Sequence, residues 1–422
     1  MNKNTRLSTM MFLQYALWGA WLPVTARYLS ASIYEGGLGF SGSQIGMILG
    51  LAGSIGAIVA PFIAGQIADR YFSTERILAF LVIAGGCVKW YTANQTDYKS
   101  WLVLSIIYSV LYMPTLALSN SITFAHISDE ENDFPKIRVW GTIGWIAASW
   151  VFPMIWLQTD LQVQLMPPFF VGTEVDGVTS RLADALKFSG IISIIYGLFC
   201  FLLPHTPPKK DAIDQLAFKK AFGLFRYTSF TVLVLASLAI SIIHQIYFLQ
   251  TGPFLSSIGI LDSQIGPAMT IGQFAEILTM AYLGYFLKNL GFKKIITIGV
   301  AAYCFRYAIF GTESLPVWVI VLSQAFHGFC YAFFFAAAYI YVDKIADEDV
   351  RHSAQTVFGI IILGGGPVIG GWLSGFLQNI NTVNNVFDFS TFWYTLSIIG
   401  LITTGLFFVF FKEELGDRKE IL

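Results

Sequence analysis

The sequence predicts an all-α membrane protein with twelve membrane-spanning helices in two sets of six. Three observations carry that expectation: the composition, a series of apolar runs of membrane length, and the placement of Lys and Arg. Of 422 residues, 55% are hydrophobic and 12% charged, against about 25% charged in a soluble domain. Mean hydropathy is +0.65. These figures exclude a soluble enzyme, and a net charge of −1 makes no case for nucleic acid as a partner.

A span needs about 20 mostly apolar residues. In order, the runs are 8–30, 44–68, 76–95, 99–124, 137–158, 187–204, 227–250, 264–287, 294–311, 316–341, 354–378 and 389–411. The first starts near Ser8. It is too long for a signal-peptide core and lacks a small-residue cleavage site, so it is expected to stay as a span. Spans 3 and 4 are joined by the short polar link QTDYKS. Two loops are longer. One, from Asp160 to Lys187, links spans 5 and 6 and reads as a lid or an inert ordered insert. The other, after span 6, carries a Pro-Pro break. The expected organisation is therefore an N-terminal bundle over 1–204, a linker over 205–226 and a C-terminal bundle with a short tail over 227–422. In the linker Phe218, Phe222 and Phe225 recur at i, i+4, i+7 among Lys219, Lys220 and Arg226, the pattern of a short amphipathic helix on a membrane surface. Most of the 25 Lys and Arg lie at the N-terminus, after even-numbered spans or in the tail. By the positive-inside rule both termini face the cytoplasm of a bacterial-type inner membrane.

No GxSxG, HExxH or phosphate-cradling loop is present, and neither a cofactor nor a metal is expected. The glycines of LGGGPVIGG, Leu363 to Gly371, lie inside span 11 and follow no strand, so close helix contact accounts for them. Cys87, Cys200, Cys304 and Cys330 all sit in apolar runs without CxxC spacing and read as small buried hydrophobes.

Polar residues inside spans are costly in lipid and are candidates to face a cleft. Arg138, Thr142 and Trp145 in span 5 are spaced i, i+4, i+7 and share a face. Span 1 offers Gln14, Trp18 and Trp21 at the same spacing, and span 4 offers Asn120. Span 7 carries His244, Gln245 and Phe248; span 8 carries Gln273 and Glu276; span 10 carries His327 and Tyr331. Amides, aromatics, one arginine and one carboxylate suit a polar, ring-containing, uncharged ligand. Glu276 would cost on the order of 3 kcal/mol at mid-bilayer, which points to a functional carboxylate, with a structural ion pair as the alternative. Arg306 and Lys89 read as anchors or internal ion-pair partners near the outer ends of their spans.

GQIADRYFSTERIL, between spans 2 and 3, resembles the signature loop of the major facilitator superfamily. Gly65, Asp69 and Arg70 fill its opening places and Arg76 its degraded end; together they form the expected conformational latch. The strongest blocks are FLQYALWGAWL, YMPTLALSNSI, DFPKIRVWGTIGW and RHSAQ. On these the chain is similar, over nearly its whole length, to the nucleoside:proton symporter family of that superfamily. The resemblance implies the major facilitator fold, nucleoside uptake with protons and a ligand site from the residues above. Arg138, Thr142, Gln245, Gln273 and Glu276 match family ligand places, whereas Trp145 stands for phenylalanine, Phe248 for asparagine, His327 for tyrosine and Tyr331 for phenylalanine. Ala332 replaces an aspartate that the family links to proton coupling. The proton carrier is then sought in Glu276 first, with His327 or His244 second.

The expected function is proton-coupled nucleoside import by alternating access, in a monomer embedded in the lipid bilayer. Alternatives are a carrier of sugars or sugar-like metabolites, a passive nucleoside facilitator, or, in another class, a non-transporting membrane sensor.

Overall fold

The computed structural model of the chain describes residues 2–62, 72–207, 222–346, 351–384 and 386–413. Gly65, Asp69 and Arg70 of the expected latch, and Phe218, Lys219 and Lys220 of the linker, lie outside the described residues.

Helices form in the places where apolar runs occur. In lipid only a helix satisfies every backbone N–H and C=O within its own segment. Among the described residues nine helices are long and apolar enough to cross a membrane. One of them, Asp262–Gly311, holds two of the expected spans. Gly291 divides it with φ 74°, a left-handed conformation that glycine adopts without a side-chain clash. Span 1 is also broken, into Lys3–Gly19 and Leu22–Ser30, with Pro23 near the start of the second piece. The twelve-span count is consistent with these elements. Isoleucines and leucines at 191, 194, 195 and 198 on span 6, and 401, 402 and 406 on span 12, are exposed. Spans 6 and 12 thus each carry an exposed apolar face.

The chain divides into two compact units. One is Met1–Ala212 together with Phe248–Ala268; the other is Ile213–Tyr247 together with Met269–Leu422. In the first, the helix Lys3–Gly19 packs on Glu130–Trp156 at glycine contacts. A Cβ on Gly144 would collide with the Phe12 carbonyl oxygen, and one on Gly19 would stand 2.6 Å from that of Trp145. Close backbone approach of this kind replaces the hydrophobic drive that lipid does not supply. Span 3, Thr74–Thr92, meets span 6, Asp184–Cys200, where Gly86 faces Ser193. In the second unit the arm after Gly291 is span 9. It meets span 12, Phe389–Phe410, where Gly400 faces Cys304. The third and sixth helices of each half thus pair in the same way.

Phe248–Ala268 comprises the C-terminal end of span 7, Thr228–Ser257, and the start of span 8. It groups with the N-terminal helices because polar contacts hold it there. Asp262 accepts from Arg27 Nε at 2.8 Å and from Thr179 Oγ1 at 2.7 Å. Glu174 accepts from the Ser263 backbone N–H at 2.7 Å. Gln264 donates through Nε2 to the Phe170 carbonyl. The loop from Asp160 to Lys187 supplies Phe170, Glu174 and Thr179. It is ordered by two isolated bridges, Gln158 with Glu174 and Val163 with Phe170.

Candidate functional site

The two units contribute separate parts of the expected face. In the N-terminal unit Arg138 is half-buried, with its guanidinium 4.1 Å from the Tyr15 ring centre. That cation–π contact, together with the close approach of span 1 to Gly141, holds the arginine along the helix rather than towards lipid. Trp145 meets Trp18 edge-on at 5.7 Å, and Trp18 meets Tyr112 edge-on at 5.4 Å. The aromatic wall is therefore built by spans 1, 4 and 5 together. Gln14 is fully buried and donates to Thr115 Oγ1 at 2.8 Å. Its Oε1, and Oδ1 of Asn120, are buried acceptors with no protein hydrogen bond among the described residues. Thr142 is half-buried on the same helix as Arg138 and Trp145.

Trp21 does not continue the face of Gln14 and Trp18. The break in span 1 at Ala20–Trp21 sends its ring to Lys89, whose Nζ lies 3.2 Å from the ring centre, and to Tyr108 at 5.9 Å. Lys89 is 3% exposed. Sequence reading placed it as an anchor or an ion-pair partner, and the structure corrects this. Lys89 forms no salt bridge among the described residues; the faces of Trp21 and Tyr108 take its charge instead. Arg306 requires the same correction. It is fully buried in the C-terminal unit, 3.9 Å from the Tyr247 ring centre, and no carboxylate forms a salt bridge with it among the described residues. A cation caged by aromatics keeps a favourable electrostatic partner without a second buried charge.

In the C-terminal unit His244 and His327 stack at 5.6 Å with their planes 12° apart, and Tyr247 stacks on His327 at 5.7 Å. Tyr331 lies 6.4 Å from His327. The structure thus brings His244, His327 and Tyr331 together. Cys330–Ala336 is π-helical, a local widening that often accompanies functional sites. Ala332 lies in it, fully buried. Span 8 crosses span 10 closely: a Cβ on Gly272 would meet His327, and one on Gly328 would meet the backbone of Ala275 and Glu276. Gln273 is buried, with Oε1 lacking a protein hydrogen bond among the described residues, and Glu276 is half-buried. Gln245 is half-buried against Gly370 of span 11. Span 7 passes from one unit to the other between Tyr247 and Phe248. Gln245 and Phe248, neighbours on one helix face, therefore belong to different units.

At the start of span 3, Arg76 of the expected latch is exposed. The buried charge there is Glu75, which meets His205 Nδ1 at 2.9 Å and accepts from the Thr206 N–H at 3.0 Å. The His205 ring and the Thr206 N–H satisfy a carboxylate that is only 6% exposed. Sequence reading passed over Glu75 because its partners lie 130 positions away.

A profile of the family described as "Nucleoside H+ symporter" matches residues 1–415. The chain belongs to that family. It is a multi-pass membrane transporter and not an enzyme. YegT of Escherichia coli K12 is 33% identical over 98% of this chain and 95% of its own. The nucleoside permease NupG of Escherichia coli K12 is 28% identical over 98% of this chain and 97% of its own. The crystal structure of the nucleoside transporter NupG superposes with a TM-score of 0.82 at 27% identity, covering 98% of this chain and all of that one. A D-xylose-proton symporter structure matches at a TM-score of 0.72 and 12% identity, a likeness of fold alone.

Proposed function

We propose that this member of the family imports nucleosides with protons by alternating access, as a monomer in the inner membrane with both termini cytoplasmic. The observation that carries the reading is the family match over residues 1–415, joined to the chemistry of the candidate face. Trp18 and Trp145 offer flat apolar surface for a base. Arg138 and the amides of Gln14, Asn120, Gln245 and Gln273 offer donors and acceptors for ribose and base. Phe248 and Tyr331 add aromatic surface, and Thr142 a hydroxyl. The buried acceptors on Gln14, Asn120 and Gln273 favour a ligand rich in hydroxyl or N–H donors, because such atoms are costly to leave unsatisfied.

Glu276 is the proton carrier in this reading. A carboxylate that meets water on one side and a drier interior on the other changes its proton affinity as access alternates. Gly65, Asp69, Arg70 and Arg76 are the latch that opens and closes with that movement.

The test is uridine and adenosine uptake into vesicles, with and without an imposed proton gradient, for the wild type and Glu276→Gln. The expected result is gradient-driven accumulation by the wild type. The variant should equilibrate or exchange nucleoside without concentrating it. Gradient-driven accumulation by Glu276→Gln would remove Glu276 from the role. Competition by sugars and not by nucleosides would overturn the substrate.

A further inference from the structure

Span 9 supplies no residue to the candidate face, yet it stands directly behind two of its rings. Nη1 of Arg306 lies 3.1 Å from Nδ1 of His327. One turn earlier, the Tyr303 hydroxyl lies 3.0 Å from Nδ1 of His244. The two stacked imidazoles, from spans 7 and 10, are thus each gripped at Nδ1 by residues at i and i+3 of one helix. Arg306 is itself fixed, by the ring of Tyr247 at 3.9 Å and by the Tyr307 hydroxyl at 3.3 Å.

The chemistry of the two partners decides the protonation pattern. A guanidinium has five N–H donors and no acceptor. Nδ1 of His327 must therefore accept, and the single ring proton sits on Nε2. We propose that Arg306 is a positioning residue that makes His327 a one-way hydrogen-bond donor through Nε2, selecting ligands with an acceptor at that point, and that it bars His327 from carrying the coupled proton. A ligand acceptor of the kind meant is a base carbonyl, a ring nitrogen or a ribose oxygen. The selectivity part rests on the reading that this face binds the substrate.

Exclusion from proton carriage follows from the surroundings. A second proton on His327 would have to sit on Nδ1, pointing an N–H at the cation that now donates to it. The groups packed around the ring include Arg306 of span 9, His244 and Tyr247 of span 7, and Tyr331 of its own helix. Span 8 adds the turn bearing Gly272 and, one turn on, Glu276. The arrangement also has a counterpart in the N-terminal half. Lys89 on the third helix of that half stands against Trp21 on its first and Tyr108 on its fourth. Arg306 on the third helix of the C-terminal half stands against Tyr247 on its first and His327 on its fourth. In the first repeat the buried cation meets the faces of its rings; in the second it also donates a hydrogen bond to a ring nitrogen.

The experiment uses full-length protein labelled with ring-15N histidine. The five histidines make a sparse spectrum, and His327→Asn assigns the signals by loss. In ligand-free wild type, His327 is expected to show one protonated and one unprotonated nitrogen, with the protonated one Nε2, unchanged from about pH 8 to about pH 5.5. Arg306→Lys keeps a donor and should preserve that pattern; Arg306→Gln should let the ring titrate in that range. In transport, His327→Phe should weaken nucleoside binding at least about tenfold while accumulation stays dependent on the proton gradient. A doubly protonated His327 at about pH 5.5, a proton on Nδ1 in the wild type, or loss of gradient dependence in His327→Phe would each overturn the proposal. The spectra need no ligand. A wild type that binds no nucleoside would sink the substrate reading alone, and the spectra would still decide the protonation pattern.

Discussion

Replacing Asp262 with Asn should release the adjoining ends of spans 7 and 8 from the N-terminal helices. Asp262 is 5% exposed and holds two donors, Arg27 Nε at 2.8 Å and Thr179 Oγ1 at 2.7 Å. Breaking a fully buried ion pair by removing one partner costs about 3–5 kcal/mol. The cost here is smaller. Arg27 keeps a second carboxylate, Glu35, at 3.0 Å, and that carboxylate is 54% exposed. Asn also retains an acceptor for Thr179. A loss of about 2 kcal/mol is therefore expected, equivalent to a roughly thirtyfold rise in the population of the detached state. The assay is maleimide labelling of Ser263→Cys, since Ser263 is fully buried next to Asp262. It is done after replacing the exposed native Cys87 by Ser. Where opening is fast relative to labelling, the labelling rate reports that population. A rate in the Asp262→Asn background within about threefold of the parent would show that the pair does not hold this stretch, and the account of its grouping would fail.

Three further outcomes are expected. Arg138→Ala should abolish nucleoside uptake while surface expression and the detergent melting profile stay close to wild type; normal uptake would refute the assignment of Arg138 to the ligand face. Gly144→Val should lower thermal stability by about 1–3 kcal/mol and remove uptake, because its first side-chain carbon collides with the Phe12 carbonyl and must push spans 1 and 5 apart; a melting curve matching wild type would refute that contact. Glu174 gives a pH signature. Burial, and then the charge of Asp262, raise its pKa above the ordinary value. Its contribution to docking is complete below the ordinary carboxylate value and is lost as pH rises through the raised value. Labelling of Ser263→Cys, corrected for intrinsic thiol reactivity, should increase over that window and become flat in Glu174→Gln; an identical profile in the variant would exclude Glu174.

Much of the fold was legible because lipid imposes simple rules on the chain. A helix that must satisfy its own backbone has to be long and apolar, and the apolar runs accordingly became helices, though their limits moved: the helix of span 7 extends to Ser257 rather than 250, and that of span 5 starts at Glu130 rather than 137. Span 10 closed at Ile345 rather than 341, and span 8 began at Asp262 rather than 264. The helix period made the face of Arg138, Thr142 and Trp145 readable, and it made His327 and Tyr331 neighbours. The same period misled at Trp21: Pro23, two residues on, marks the break at Ala20–Trp21, but the uninterrupted apolar run reads as one helix. Of the candidate site, the side chains were legible by type and by helix, but their partners were not.

The sequence by itself determined the class of the protein, its spans and the polar residues that lipid would not tolerate, since each of these follows from composition and local periodicity. Only the tertiary structure decided how the stranded charges are satisfied. It placed Lys89 between Trp21 and Tyr108, Arg306 between Tyr247 and His327, and Asp262 between Arg27 and Thr179. Each charge is stabilised by groups from other helices or from a distant loop. Coulombic and cation–π energies depend on distance in space, and chain separation carries no information about that distance.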